Sequence, residues 1–450
     1  MVSPTHRETP PPAVQPSSST LRRVITSAAL GQFVEWYDFV IYAYSAVIIA
    51  KLFFPSEDPV AGVLAVFGVY AVGFLMRPLG GIVFGLLGDR MGRRQLLVIV
   101  IVTMGAATMG IGLLPTYGQV GVLAPLLLIL CRMVQGFAAA GETVGSNAFV
   151  AEHAPTGRRG LYVAFTYSFS TVPSVAAALF VLFLTNTLGE ATYNAWGWRI
   201  AFLIGGPMAL IGLYIRMKVD ESPVYEAARA AQAADGQPQE HLSSTRPAVV
   251  RTIALAALAS LAFYTLSGYF VTFLTTGANL SSSDALLSNG IALSISFMAF
   301  WVGGALSDRW GRRPVLFTAI WAVIVLYLPA LWLASLGTFA SALAGQLVIG
   351  MVFGVYWGVF GVTVIELFPT RNRLSGATIS WNLAYTVFGG TAPLLATWLI
   401  DRTGSLVSPG IYMMVIAFIA FLCVRGMPET AGSNLLHEQD RSQPSGSERL

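Results

Sequence analysis

Five ionisable side chains lie inside long apolar stretches of this 450-residue chain: Glu35, Asp38, Arg77, Arg132 and Glu142. A charge within a membrane span is costly, and it persists where it binds, pairs or relays protons. Glu35 and Asp38 are three residues apart, so a helix places them on one face, with Tyr42 one turn further on. Arg132, Gln135, Ala139 and Glu142 follow a three-four-three spacing along one side of a second segment. Tyr70 and Arg77 share a face of a third. Three such stripes predict one common cavity. The five charges sum to one negative unit, which a single proton neutralises.

Burial and a neighbouring arginine act in opposite directions on a carboxyl group's hold on its proton. His6, His153, His241 and His437 all fall outside the apolar stretches, so the proton carrier is expected to be Glu35 or Asp38, then Glu142. A guanidinium at Arg132 can grip a carboxylate through two parallel hydrogen bonds, which suits an organic anion. Gln135, Tyr42 and Arg77 are candidate substrate contacts beside it. The competing reading, strongest for Arg77 and Glu142, is that these charges pair with one another and hold helices together. On the opposite wall Tyr264, Tyr356, Trp357, Asn382 and Tyr385 are candidates, although membrane aromatics more often pack or sit at interfaces.

The elements that position these groups are apolar helices. The chain is 55% hydrophobic and only 11% charged, against roughly 25% charged in soluble proteins. A bilayer crossing needs about 20 apolar residues. Twelve segments qualify: 25–50, 61–86, 95–114, 121–147, 161–184 and 199–217, then 248–274, 286–306, 314–336, 339–366, 374–400 and 409–426. The fold expected is all-α and polytopic, with two six-helix bundles at 25–217 and 248–427. A linker at 218–247 joins them, and tails at 1–24 and 428–450 flank them.

Arg22, Arg23, Arg90, Arg93, Arg94, Arg158, Arg159, Arg216, Lys218, Arg309, Arg312, Arg313, Arg371 and Arg373 occupy one set of loops. The other set holds little beyond Lys51, Arg199 and Arg402. This asymmetry predicts cytoplasmic termini in the cell (inner or plasma) membrane. It also explains the net charge of +4 without a nucleic-acid partner. Cys131 and Cys423 both lie in apolar runs and make no disulfide framework.

Two loops are duplicated. Gly85-Leu86-Leu87-Gly88-Asp89-Arg90-Met91-Gly92-Arg93-Arg94 recurs as Gly304-Ala305-Leu306-Ser307-Asp308-Arg309-Trp310-Gly311-Arg312-Arg313. Glu152-His153-Ala154-Pro155-Thr156 corresponds to Glu366-Leu367-Phe368-Pro369-Thr370. Such copies mark a parallel repeat, with a substrate site between the halves. Gly85, Gly88 and Gly92, with Gly311 in the second copy, permit close packing and a sharp turn. Asp89 and Asp308 sit at helix ends, where a carboxylate can accept backbone N–H bonds. With Arg90, Arg93, Arg309 and Arg312 they form a candidate conformational latch.

This loop pair resembles the signature of the major facilitator superfamily. Glu35-Trp36-Tyr37-Asp38-Phe39, Arg77-Pro78-Leu79-Gly80, Arg132-Met133-Val134-Gln135-Gly136, Gly141-Glu142, Gly197-Trp198-Arg199, Glu221-Ser222-Pro223 and Pro428-Glu429-Thr430 resemble its metabolite:H+ symporter branch, over nearly all of 25–430. The resemblance implies alternating access, with the Asp89 loop docking on segment 11 to steady the outward-facing state and Asp308 in a related part. Ala139 and Ala140 stand where relatives would carry glycine.

The function expected is proton-coupled uptake of a small organic anion, a mono-, di- or tricarboxylate. The proton gradient drives it, no cofactor is needed, and a monomer is the default in the bilayer. No G-x-x-x-x-G-K-[ST] loop, metal-ligand cluster or nucleophile–base set points to an ATP-driven pump or an enzyme. Segment 7 reads Thr265-Leu266-Ser267-Gly268, where sugar porters would call for paired glutamines. Residues 431–450 lack the apolar heptads of an osmosensing coiled coil. A proline/betaine-type zwitterion carrier, sodium coupling and a non-transporting sensor are the alternatives.

Overall fold

The computed structural model describes residues 18–56, 59–218, 245–369 and 373–433. The expected linker lies almost wholly outside these residues, as does most of each tail. Among the described residues, eleven helices are long and apolar enough to cross a membrane. A further span precedes them, Ser18–Tyr44 continued by Ala46–Phe53, whose apolar run is interrupted by Gln32, Glu35 and Asp38. We number this span 1. Spans 2 to 6 are Gly68–Met91, Arg94–Leu113, Leu123–His153, Thr156–Leu188 and Tyr193–Met217. Spans 7 to 12 are Arg246–Ser267, Asp284–Trp310, Arg312–Ala334, Phe339–Leu367, Arg373–Ile400 and Ser408–Arg425. The protein is an all-α membrane protein of twelve spans.

Without a hydrophobic drive between helices in lipid, spans associate where small residues let backbones approach. Gly136 of span 4 lies against the Gly73 backbone of span 2, and Gly358 of span 10 lies against the Phe300 carbonyl of span 8. The halves of the chain meet mainly on the arginine-rich side. There span 2 runs along the start of span 11, and the start of span 5 packs on spans 8 and 10. Gly85 and Gly88 make this approach possible: a Cβ on Gly85 would stand 2.8 Å from the Ser375 Cα, and one on Gly88 2.5 Å from Leu374.

Span 4 extends to His153, six residues beyond the expected end at 147. The extra turns are buried, so helical pairing continues until Pro155 stops it. His153 therefore lies at the end of a span, not outside one, with Nδ1 2.8 Å from the Phe149 carbonyl oxygen. A wide π-type turn at Thr265–Tyr269 closes span 7, and another at Tyr385–Gly389 lies within span 11. Such turns often mark functional positions in helices.

Candidate functional site

The centre of the molecule is built on span 1. Glu35 is fully buried, stands 3.5 Å from Arg77 of span 2, and accepts a 2.6 Å hydrogen bond from the Thr143 hydroxyl of span 4. Arg77 also faces the rings of Phe39 and Phe74, at 4.7 and 5.0 Å. One turn beyond Glu35, Asp38 is buried beside Thr108 and Arg132. Among the described residues, neither of its oxygens receives a well-formed hydrogen bond.

Arg132 stands in an aromatic box, its guanidinium 4.3 Å from the Tyr42 ring centre and 5.1 Å from those of Tyr70 and Phe39. Cation–π attraction holds the charge there without consuming its N–H groups. One of them donates to Gln135 at 2.9 Å, and Gln135 in turn donates to Thr108 at 2.8 Å. Among the described residues, Nε and Nη2 have no acceptor. An unmet buried donor costs about 1–3 kcal/mol, so this box favours a ligand that brings oxygens. Tyr42 contributes its ring face, because its hydroxyl donates to the Val66 carbonyl at 3.1 Å.

Glu142 faces a partner that sequence reading had placed among the loop arginines. Arg216, at the end of span 6, is buried and binds both oxygens of Glu142, with Nη1 at 3.0 Å from Oε2. The Ser146 hydroxyl adds a 2.7 Å bond, and Arg216 also donates to the Leu97 carbonyl. Gly31 permits this, since a Cβ there would collide with both partners. With Arg216 counted, the buried set of three acids and three arginines is formally neutral rather than singly negative.

The candidates on the second half divide in two. Tyr264 meets Phe74 edge-on at 5.2 Å, Asn382 donates to the Ala140 carbonyl at 2.9 Å, and the Tyr385 and Tyr167 hydroxyls stand 2.9 Å apart. These three residues reach across to the first half. Tyr356 and Trp357 instead donate to the Leu255 and Ala259 carbonyls of span 7, at 2.7 and 3.1 Å. Thr108, Thr143 and Tyr167 escaped sequence reading. Thr143 continues the 135–139 spacing by four residues and was legible; Tyr167 gave no such signal.

On the arginine-rich side, Asp89 accepts the Ser375 N–H of span 11 at 3.1 Å. Asp308 accepts the Gly160 and Leu161 N–H groups of span 5, each at 2.8 Å, and binds Arg312 at 2.7 Å. Arg312 forks onto Glu366 at 3.0 and 3.1 Å, and Arg373 bridges the halves to Glu152 at 2.8 Å. Arg312 and Arg373 are thus buried and paired rather than solvated. Arg90 and Arg309 are exposed, and the Arg93 side chain is outside the described residues. Gly92 and Gly311 hold φ of 100° and 99°, a backbone that disfavours other residues.

The family model described as Major Facilitator Superfamily matches residues 28–381. The proline/betaine transporter of Escherichia coli (strain K12) is 35% identical over 426 residues, covering 92% of this chain and 85% of that protein. The citrate-proton symporter of Klebsiella pneumoniae is 35% identical over 393 residues, covering 87% and 88%. Among solved structures, the proton:xylose symporter XylE bound to 6-bromo-6-deoxy-D-glucose superposes with a TM-score of 0.77 at 20% identity, over 93% and 98% of the two chains. These similar proteins are transporters rather than enzymes.

Proposed function

We propose, for a chain that belongs to the major facilitator superfamily, symport of protons with a small solute that bears a carboxylate. The observation that carries this reading is the open half of the Arg132 guanidinium, framed by Tyr42, Tyr70 and Phe39 beside an Asp38 with no well-formed hydrogen bond. A carboxylate laid on Nε and Nη2 would satisfy both donors and neutralise the positive charge beside Asp38. Asp38 would then take a proton more readily. The neutral set of acids and arginines takes up one carboxylate and one proton with no net change in charge. That balance couples the two movements.

Relatives named for proline/betaine and for citrate both carry carboxylates, so both agree with this contact. The second reading, a zwitterion with a cationic end, is supported by an aromatic cluster where the two halves meet. Trp36, Phe263 and Tyr264 present rings 4.3 to 6.1 Å apart, and an ammonium packs on such faces. The arginine-rich side is read as cytoplasmic and the membrane as the cell's inner or plasma membrane. The test is uptake into proteoliposomes of proline, glycine betaine, a monocarboxylate and citrate, with and without an imposed pH gradient. Accumulation driven by the pH gradient, in at least one of the four, is expected. Uptake driven by sodium and indifferent to pH overturns the coupling.

A further inference from the structure

Asn147 is fully buried on span 4, and among the described residues neither its amide nitrogen nor its amide oxygen has a partner. Leaving both halves of a buried amide unpaired costs several times what one lost hydrogen bond does. Its surroundings are specific. Asn147 lies four residues after Thr143 on one helix, so both stand on the same face, about 5–6 Å apart at Cβ. Thr143 donates to Glu35. On its other side Asn147 meets Gly361 of span 10 and Tyr167 of span 5: a Cβ on Gly361 would stand 3.3 Å from the Asn147 amide nitrogen and 3.5 Å from the Tyr167 ring. Tyr167 then meets Tyr385 hydroxyl to hydroxyl across the halves. Span 4 runs toward the arginine-rich side, so Asn147 lies one turn nearer that side than Thr143, the residue that bonds Glu35.

We propose that Asn147 is a water-holding site on the proton's route from Glu35 to the arginine-rich side, an inference that rests on the proton coupling proposed above. A water donating to the amide oxygen and accepting from the amide nitrogen satisfies both orphaned atoms, as buried waters commonly do. Thr143, one turn away on the same helix face, is placed to share that water. When Glu35 has taken the proton from Asp38, one turn away on span 1, Thr143 accepts from it and donates to the water. In release, the Glu35 O–H bond breaks as a new O–H bond forms on Thr143, whose own proton passes to the water and onward. Glu35 is left as a carboxylate facing Arg77, with the Glu142–Arg216 pair and Tyr167, Tyr264 and Tyr385 around it. Asn147 neither binds substrate nor titrates. It is a positioning residue for water.

The experiment compares two assays on one set of proteoliposomes, using whichever of the four solutes the wild type accumulates: accumulation driven by a pH gradient, and exchange of labelled for unlabelled solute at equal pH. Asn147→Leu removes the orphaned atoms at similar volume and is expected to fold. It should lower gradient-driven accumulation about tenfold or more, while exchange stays within about twofold. Thr143→Val should also lower gradient-driven accumulation, and Asn147→Ser, which can still hold a water, should recover much of the loss. Normal gradient-driven accumulation by Asn147→Leu overturns the proposal, as does equal loss of exchange, which would make Asn147 structural. A wild type that exchanges solute but ignores the pH gradient overturns the coupling itself, and this relay with it.

Discussion

Arg216 and Glu142 form a buried ion pair in which one guanidinium spans both carboxylate oxygens and also reaches the Leu97 backbone. The pair ties spans 3, 4 and 6 together directly behind Glu35. Removing one partner leaves an uncompensated charge in an apolar surrounding, at a cost of about 3–5 kcal/mol. Arg216→Leu should therefore lower the melting temperature of the purified protein markedly. Joint Arg216→Leu and Glu142→Leu should restore most of it, since a buried pair replaced by apolar side chains is often neutral. A single variant that melts like the parent would count against the pairing.

Arg132 holds two donors for the solute, and charge-assisted hydrogen bonds contribute roughly 1.5–3 kcal/mol each. Arg132→Ala should weaken solute binding about a hundredfold or more and abolish uptake, with normal amounts of protein in the membrane. Arg132→Lys should not restore it, because an ammonium lacks the planar fork and the fit to the aromatic box. Binding is read by calorimetry, and uptake that remains normal would remove Arg132 from the mechanism.

Asp308 holds the Gly160 and Leu161 N–H groups across the two halves. Asp308→Ala removes both charge-assisted bonds that cross the halves, enough to shift a two-state balance about tenfold or more. Spin labels at Gly157 and Trp310, both exposed at the arginine-rich ends of spans 5 and 8, should move apart in this variant. Unchanged distances would show that other contacts hold the closure.

Gly160 permits that same contact sterically. A Cβ there would stand 2.7 Å from the Gly304 carbonyl oxygen and 2.5 Å from the Ser307 hydroxyl, whereas Gly157 has open space around it. Gly160→Leu should therefore slow transport and raise labelling of the seam from the arginine-rich side. Gly157→Leu, three residues away, should behave as the parent; similar effects of both would discount the close approach.

Sequence alone determined the twelve apolar spans, the duplicated loops and the stripe faces bearing Glu35, Asp38 and Arg132, because membrane hydropathy and helical period are local properties. The stripes even extended, unread, to Thr143. What it left open was which stripe meets which. Arg216 looked like one more loop arginine, and nothing near it in the chain announces Glu142, which lies 74 residues earlier. Tyr167 and Asn147 carried no charge and no repeat. Their meeting with Tyr385 and Gly361 exists only because spans 5 and 4 pack on spans 11 and 10. Helical period tells a residue's direction from its own axis, and only the packing of other helices decides what stands there.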